Sequence, residues 1–282
     1  MGMCAMSVYG RTAIVMAHFG STHDDARAVT TDVINTRVAD AFTGAEVHEA
    51  YTSRMVIKRL ADRGINRQTP VQVLDQLAAE GVDTVVVQPT FLLPGVEYDA
   101  LRADVMSVSD KFASVAVGKP LLYGVDECRQ VADVLLARHK EKDMRHHVVF
   151  VGHGTPSVYN ALYSQVDNMF HAGGQPNFHV ATIEGYPDME SVLGILKQAK
   201  ARDVTLVPFL FVAGDHARND IEVDWVKAFE SRGLPTTTWI EGLGEIDAIQ
   251  QLYVDRVRDA MNGPEPTSVD IKNAYLKENN LK

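Results

Sequence analysis

The sequence predicts an α/β protein of two doubly wound domains with parallel sheets, related by pseudo-twofold symmetry. Three observations support this prediction. Short runs rich in Val, Ile and Leu alternate with segments of helical spacing. The 282 residues suit two domains of about 100–150 residues each. Finally, segment 85–95 (VVVQPTFLLPG) returns as 204–214 (VTLVPFLFVAG), with Pro and Gly at matching positions 119 residues apart.

The first half alternates predicted strands and helices. Apolar, β-branched runs predict strands at residues 12–18, 46–50 and 84–88. Apolar residues spaced three and four apart predict helices at residues 26–42, 54–63 and 70–80. The run TVVVQ, at residues 84–88, is typical of a strand buried on both faces of a parallel sheet.

The second half repeats this alternation. Strands are predicted at residues 147–152, 178–183 and 204–209. Helices are predicted at residues 127–140, 157–171, 189–199, 219–231 and 254–261. We therefore expect an N-terminal domain over residues 1–125, a C-terminal domain over 126–262, and a loosely packed extension over 263–282. The final helix of the C-terminal domain is expected to pack back on the N-terminal domain.

The composition excludes some partners. The net charge is −10, whereas surfaces that bind nucleic acid are basic. No apolar run reaches the roughly 18–20 residues that span a bilayer. Cys4 and Cys128 form neither a CxxC pair nor a disulfide framework. We expect a cytoplasmic protein without nucleic-acid or membrane partners; a homo-oligomer stays open, and an exported chain lacking its signal peptide would look the same.

The repeat predicts a ligand site between the two halves. In open α/β sheets, ligands bind at the carboxyl ends of the strands, and two similar halves are expected to face each other across such a cleft. The Gly turns at these ends, with backbone N–H groups free for a ligand, are therefore candidate binding positions. The candidate residues in these turns are Gly20, Ser21, Gly95 and Gly154.

Three residues with metal-binding side chains follow successive strands of the second half. His153 follows its first strand, Glu184 its second and His216 its third. Two imidazoles with a carboxylate suit late first-row divalent metals and leave coordination positions open for a substrate. The alternative is that each histidine is a structural residue beside a Gly turn. Their equivalent topological positions weaken this alternative, and from the residues alone both interpretations stay open.

The first half carries a carboxylate at the corresponding place. Glu97 lies 119 residues before His216, so the repeat aligns the two. Across the cleft this carboxylate is expected to face the histidine pair and to accept protons. The alternative is that Glu97 only stabilises the first turn of a helix.

Few basic side chains are available for an acidic ligand. Arg54, Lys58 and Arg59 form a basic cluster after the second strand, and Arg54 and Lys58, four residues apart, share a helix face. They are candidates for binding carboxylates, although a solvated helix face is the alternative. His146 and His147 precede a strand and are expected at the surface. His18 and His23 flank the first Gly turn and are weaker candidates for the cleft wall.

Four motifs carry a resemblance to a known family. They are VGHGT at 151–155, AGDHARND at 213–220, AYTSRMVIKRL at 50–60 and LLPGVEYDAL at 92–101. Together, and in this order, they resemble the anaerobic-type (class II) sirohydrochlorin cobaltochelatases of the ferrochelatase-like superfamily. The similarity extends over residues 11–261. This chain has Gly-Val-Glu around Glu97 where Gly-Asp-Glu is expected, so the carboxylate is kept and its local hydrogen bonding differs.

The resemblance implies a chelatase-like fold and a function. The implied reaction inserts Co²⁺ into sirohydrochlorin or precorrin-2 during cobalamin-type tetrapyrrole biosynthesis. His153 and His216 are implied to bind the metal, with Glu184 nearby and Glu97 as a partner in proton removal. The divalent metal is a substrate (Co²⁺, with Fe²⁺ or Ni²⁺ as alternatives), and no organic cofactor is required. Fe²⁺ insertion for sirohaem or into protoporphyrin, and a non-catalytic haem or metal carrier, are the competing interpretations.

Overall fold

The computed structural model describes residues 10–263 and 268–278, and Cys4 lies outside them. The chain forms two four-stranded parallel sheets, one from each half of the sequence. The strand order is β2-β1-β3-β4 in the first sheet and β6-β5-β7-β8 in the second. The identical orders confirm the predicted α/β fold with two parallel sheets.

The first sheet contains strands Thr12–His18 (β1), Glu46–Tyr51 (β2), Thr84–Pro89 (β3) and Ser114–Val117 (β4). Its helices are Asp24–Val29 (α1), Thr31–Ala41 (α2), Arg54–Ala61 (α3), Pro70–Ala79 (α4) and Val96–Met106 (α5), with a 3₁₀ turn at Ser109–Lys111. A capping box from Thr69 and Gln72 starts α4, as Thr-Pro at this position predicts. The helix predicted at 26–42 is broken at Thr30.

The second sheet contains strands His146–Gly152 (β5), Phe178–Thr182 (β6), Asp203–Pro208 (β7) and Thr236–Thr238 (β8). Its helices are Val125–His139 (α6), Ala161–Ala172 (α7), Met189–Ala199 (α8), Val226–Glu230 (α9) and Asp247–Met261 (α10), followed by Ser268–Glu278 (α11). Short 3₁₀ turns occupy Val158–Asn160 and Leu243–Glu245, and a π-helix occupies His216–Trp225. No described helix combines the length and apolar character needed to cross a bilayer.

Side-chain alternation along the strands builds the core. Ile14 and Met16 of β1 join a central apolar cluster, while Ala13 and Val15 point to a second cluster on the other face. Phe150 of β5 belongs to the same central cluster as Ile14. One continuous core therefore joins the inner faces of both sheets, together with residues from α2, α6, α7 and α10.

The helix α10 contacts elements of the first half. The buried Tyr253 hydroxyl donates to the carbonyl oxygens of Thr90 and Phe91, both at 3.2 Å. Burial also raises the pKa of this phenol. At the helix start, Arg37 of α2 bonds Asp247. The domain boundaries at 125/126 and 262/263 stay predictions, and α10 makes the expected contacts with the first half across the former.

Candidate metal-insertion site

A cavity of about 360 Å³ lies between the two halves, at the carboxyl ends of the strands. Seven of the predicted site residues line it: Gly20, Ser21, Gly95, Glu97, His153, Gly154 and His216. The remaining wall is largely apolar, and Phe19 and Met55 expose 47% and 59% of their surface. Exposed apolar surface beside polar groups is typical of a ligand site.

The two predicted histidines meet in this cavity. The ring centroids of His153 and His216 are 4.7 Å apart, with their planes at 77°. His153 Nδ1 lies 3.0 Å from the carbonyl oxygen of Gly154. Because a carbonyl only accepts, Nδ1 carries the proton and Nε2 keeps its lone pair.

His216 is oriented in a similar way. Its Nδ1 lies 2.6 Å from Asp220 Oδ2, four residues further along the π-helix. The carboxylate accepts the Nδ1 proton, so Nε2 of His216 also presents a lone pair. A carboxylate behind a histidine typically fixes the orientation of a metal ligand and raises its basicity. Such π-helical turns are frequent at functional sites.

We expect Asp220→Asn to weaken Co²⁺ binding by about 10–100-fold, the usual loss when the partner of a metal-binding histidine is removed. The amide can still accept but carries no charge, so it no longer favours the required orientation and basicity of His216. Metal titration of the purified variant measures the change. Asp224→Asn, an exposed carboxylate on the same helix, should bind like the unsubstituted chain. Equal affinity in both variants would contradict this role of Asp220.

Glu184 contacts the histidine turn through its backbone. Its N–H donates to the carbonyl oxygen of His153 at 2.7 Å. Its side chain is exposed and does not line the cavity. The ligand atoms of Glu184, His153 and His216 are not all within 4.8 Å of one another. The role of Glu184 as a metal ligand thus stays a prediction.

The Gly turns repeat across the cleft. Gly20 and Gly154 have φ of +101° and +90°, and a Cβ on either would lie 2.5 Å from a neighbouring atom. A Cβ on Gly95 would lie 3.2 Å from Thr155 Oγ1 in the other half, and one on Gly214 would lie 3.4 Å from Ser21 Oγ. Each half therefore presents the same pair of turns to its partner, as the repeat predicts.

The acidic and basic candidates differ in placement. Glu97 is exposed in the first turn of α5 and lines the cavity. Arg54 and Lys58 are exposed on α3 but do not line it. The cation of α3 that does so is Arg59, whose Nη1 lies 3.8 Å from Asp215 Oδ2. The sequence therefore predicted the correct helix, but the cavity contacts the face of α3 that carries Arg59, not the face that carries Arg54 and Lys58.

Polar contacts between the halves surround the cavity. His23 Nε2 lies 2.6 Å from Asp215 Oδ1, and Arg218 Nη2 lies 2.6 Å from Asp25 Oδ2. The hydrogen bond from His23 holds the pKa of Asp215 below its usual value. His23, a weak candidate from sequence, therefore joins the halves beside the cavity and does not line it.

His18 lines the cavity as a buried neutral residue. Its Nδ1 lies 2.9 Å from Thr90 Oγ1 and its Nε2 lies 3.0 Å from Asn35 Oδ1. Burial lowers its pKa from 6.5 to about 4. A histidine with both nitrogens bonded inside the protein supports the wall and has no free lone pair for a metal.

The state of His18 predicts acid sensitivity. Between about pH 6.5 and 4, His18 is protonated in the unfolded chain but stays neutral in the folded chain. The free energy of unfolding that is present above pH 6.5 is therefore lost as the pH falls towards 4. His18 is expected to contribute a slope on the order of 1 kcal/mol of unfolding free energy per pH unit. Urea unfolding at several pH values measures it. His18→Gln should make the slope shallower by the contribution of one proton, since the buried His139 and His179 keep theirs. His48→Gln, a half-buried control, should keep the full slope; equal slopes in the two variants would refute the assignment.

Sequence reasoning missed Asp220 and Asp215 beside the site, and it did not single out Arg59 within the basic cluster. Asp220 was visible only as a carboxylate at helical spacing from His216, inside the motif AGDHARND. Arg59 was recognisable as part of the basic segment, but the sequence did not show which face of α3 would contact the cavity. Asp215 had no signal of its own, because its contact with His23 joins residues 192 positions apart.

The chain is similar to known proteins in both sequence and fold. The family model described as Cobalt chelatase (CbiK) matches residues 12–262. The chain is 31% identical to a sirohydrochlorin cobaltochelatase of Salmonella typhimurium, covering 89% of this chain and 97% of that protein. It is 30% identical to sirohydrochlorin cobaltochelatase CbiKC of Nitratidesulfovibrio vulgaris, over 89% and 91%. The structure of SirB from Bacillus subtilis with Fe³⁺ has a similar fold, with a TM-score of 0.66, 17% identity and coverage of 89% and 96%.

Proposed function

Because the chain belongs to the cobalt chelatase (CbiK) family, we propose that it inserts Co²⁺ into sirohydrochlorin during tetrapyrrole biosynthesis towards cobalamin. One observation carries the proposal: two imidazoles converge in the cavity between the halves, each with Nδ1 bonded and Nε2 free. That arrangement suits a late first-row divalent ion. The expected compartment is the cytoplasm.

The metal substrate is expected to bind first, at Nε2 of His153 and of His216. Two neutral nitrogen ligands leave most of the coordination sphere open, which an ion in transfer requires because the macrocycle must replace its other ligands. Glu184 is proposed to add negative charge near the ion. Its bonded backbone keeps it beside His153, 2.7 Å from N–H to carbonyl oxygen.

The macrocycle is expected to lie against the apolar wall that includes Phe19 and Met55. Its acidic substituents are proposed to bind the basic residues of α3, namely Arg59 in the wall and Arg54 and Lys58 at its margin. Backbone groups of the turns at Gly20, Ser21, Gly95 and Gly154 complete the proposed binding surface. Enclosure between the halves would exclude water from the reacting nitrogens.

Insertion requires removal of two protons from the pyrrole nitrogens as the ion enters. Glu97 is proposed to accept one of them, because its carboxylate lines the cavity from the half opposite the histidines. A neutral histidine of the cavity is proposed to accept the other. An acceptor across the ring lets proton loss and metal binding occur on different faces. Positioned proton transfer of this kind typically contributes about 10²–10⁴-fold to a rate.

Glu97→Gln is therefore expected to slow insertion at least about a hundredfold while Co²⁺ binding is kept. The measurement is anaerobic metallation of sirohydrochlorin, followed by the change in absorbance of the macrocycle. Asp99→Asn, an exposed carboxylate in the same helix turn, is the matched control and should keep full activity.

The same assay tests the function itself. Metallation well above the uncatalysed mixture supports a chelatase. Tight macrocycle binding without acceleration would instead indicate a carrier, and faster insertion of Fe²⁺ than of Co²⁺ would indicate sirohaem synthesis. Glu97→Gln distinguishes the first two outcomes, because a carrier has no step that needs a proton acceptor.

A further inference from the structure

A second group of metal-binding side chains lies in the second half, away from the cavity. It consists of His179 on β6, Asp167 and His171 on α7, and His147 on β5, and we refer to it as the histidine cluster. His147 was expected at the surface, but only 3% of it is exposed. The expectation was wrong because β5 begins at His146, so His147 already points into the interior.

The histidine cluster lies at the opposite end of the sheet from the insertion site. His179 pairs with Val149, four residues before His153 along the chain. At about 3.3 Å per strand residue, this separates the two sites by roughly 13 Å along the strands. Metal bound at one site would share no ligand with metal bound at the other.

Three members of the histidine cluster meet the distance requirement for one ion. Ligand atoms of Asp167, His171 and His179 all lie within 4.8 Å of one another, the single such group among residues 10–263 and 268–278. Asp167 Oδ1 accepts the backbone N–H of Val180 at 2.8 Å, and Oδ2 lies 3.7 Å from His171 Nε2. The carboxylate is therefore held in place with one oxygen towards the imidazoles. His171 Nε2 donates to the carbonyl oxygen of Phe178 at 2.9 Å, so coordination uses Nδ1 of this ring or replaces that hydrogen bond.

His179 contributes a buried nitrogen without a partner. Its Nε2 lies 2.9 Å from His147 Nδ1, whereas its Nδ1 is buried and makes no hydrogen bond. Only 2% of His179 is exposed, so water does not satisfy this atom. An unsatisfied buried polar atom destabilises the folded state, and coordination of a metal would remove that penalty.

Hydrogen bonding keeps the ring of His179 ready to coordinate. If Nε2 of His179 donates to His147, its Nδ1 carries the lone pair. A ligand histidine whose other nitrogen is bonded is the usual arrangement at metal sites.

We propose that Asp167, His171 and His179 bind a second divalent ion, of the Zn²⁺ or Co²⁺ class, independently of the insertion site. Two imidazoles and one carboxylate favour such ions over Mg²⁺ or Ca²⁺, which prefer oxygen ligands. His147 orients His179 from behind. Access is from solvent, because the side chain of His171 is 39% exposed. The ion would join α7 to the sheet-edge strand β6, and so stabilise the fold.

Metal stoichiometry tests the proposal without any macrocycle. In a chain without a histidine tag, His153→Ala/His216→Ala removes the insertion site, and this double variant should still bind one equivalent of Co²⁺ by equilibrium dialysis. Adding His171→Ala should abolish that binding. His171 is the partly exposed ligand, so its loss should leave the fold intact, and Asp167→Asn provides a second variant.

His48→Ala in the same double variant is the matched control, since it removes a half-buried imidazole of the first half and should keep the equivalent. The thermal midpoint gives an independent reading: Zn²⁺ should raise it in the double variant and in the His48 control, but not with His171→Ala. Absence of any bound equivalent in the double variant would overturn the proposal. An equivalent that persists with both His171→Ala and Asp167→Asn would overturn it as well.

Discussion

Replacing His153 or His216 by alanine is expected to reduce Co²⁺ insertion into sirohydrochlorin by more than about a hundredfold. Loss of a residue that merely orients a metal ligand typically costs 10–100-fold, and loss of the ligand itself should exceed that. The rings are 4.7 Å apart, so one remaining imidazole would hold the ion by a single protein nitrogen. Initial rates over a range of Co²⁺ concentrations, compared with the uncatalysed mixture, measure the effect.

The control for these variants is His48→Ala, which removes an imidazole outside both metal-binding groups. It should insert Co²⁺ at the unsubstituted rate. Far-ultraviolet circular dichroism should be unchanged in all three variants, because both site histidines are partly exposed and support little of the core. Full activity of the His153 or the His216 variant would show that this histidine is not needed to bind the metal substrate.

Gly154→Ala is expected to cost several kcal/mol of unfolding free energy and most of the activity. A side chain at its φ of +90° is strained by about 1–2 kcal/mol. In addition, the new Cβ would lie 2.5 Å from the backbone oxygen of Glu184, so the turn holding His153 must shift. Chemical unfolding measures the first effect, and Co²⁺ insertion measures the second.

Gly174→Ala separates the two causes of this loss. Its φ is +88°, nearly that of Gly154, but a Cβ there meets nothing within 4 Å. The control should therefore show the backbone strain alone, about 1–2 kcal/mol, with activity intact. Equal losses in the two variants would mean that the contact with Glu184 is unimportant.

Strand positions and the division into two similar sheets were predictable from the sequence because they follow from local pattern and repetition. The central strand β1 occupies the predicted residues 12–18, and the two sheets have the same strand order. The edge strands β4 and β8 were not predicted. The latter is three threonines long, too short to give a periodic apolar signal.

The site was predictable in its strand-end residues and less so in its helical ones. A residue directly after a strand has a fixed place at the sheet edge, so His153 could be assigned to the cavity from sequence. On a helix, neighbouring residues differ by about 100° in direction. The order of Arg54, Lys58 and Arg59 along the chain therefore did not reveal that only Arg59 reaches the wall.

The π-helical turn at His216 also lay beyond sequence reasoning. A helix was predicted from residue 219, whereas the helical segment begins at His216 itself. The wider turn brings Asp220 behind His216, a contact that helical spacing suggests but cannot establish. Long-range pairs such as His23 with Asp215 depend on the docking of the two halves and leave no local trace.

The apolar core shared by both sheets determines how the cleft can move. In proteins whose lobes have separate cores, a ligand can be enclosed by rotation of one lobe about a hinge. Here Ile14 and Phe150 belong to one continuous cluster, and Tyr253 bonds to the backbone of Thr90 across the halves. Separation of the two lobes would break the apolar contacts of this cluster and expose its side chains to water. We therefore expect a ligand to enter through movements of side chains and turns at the rim of the cavity, without rotation of one lobe about a hinge.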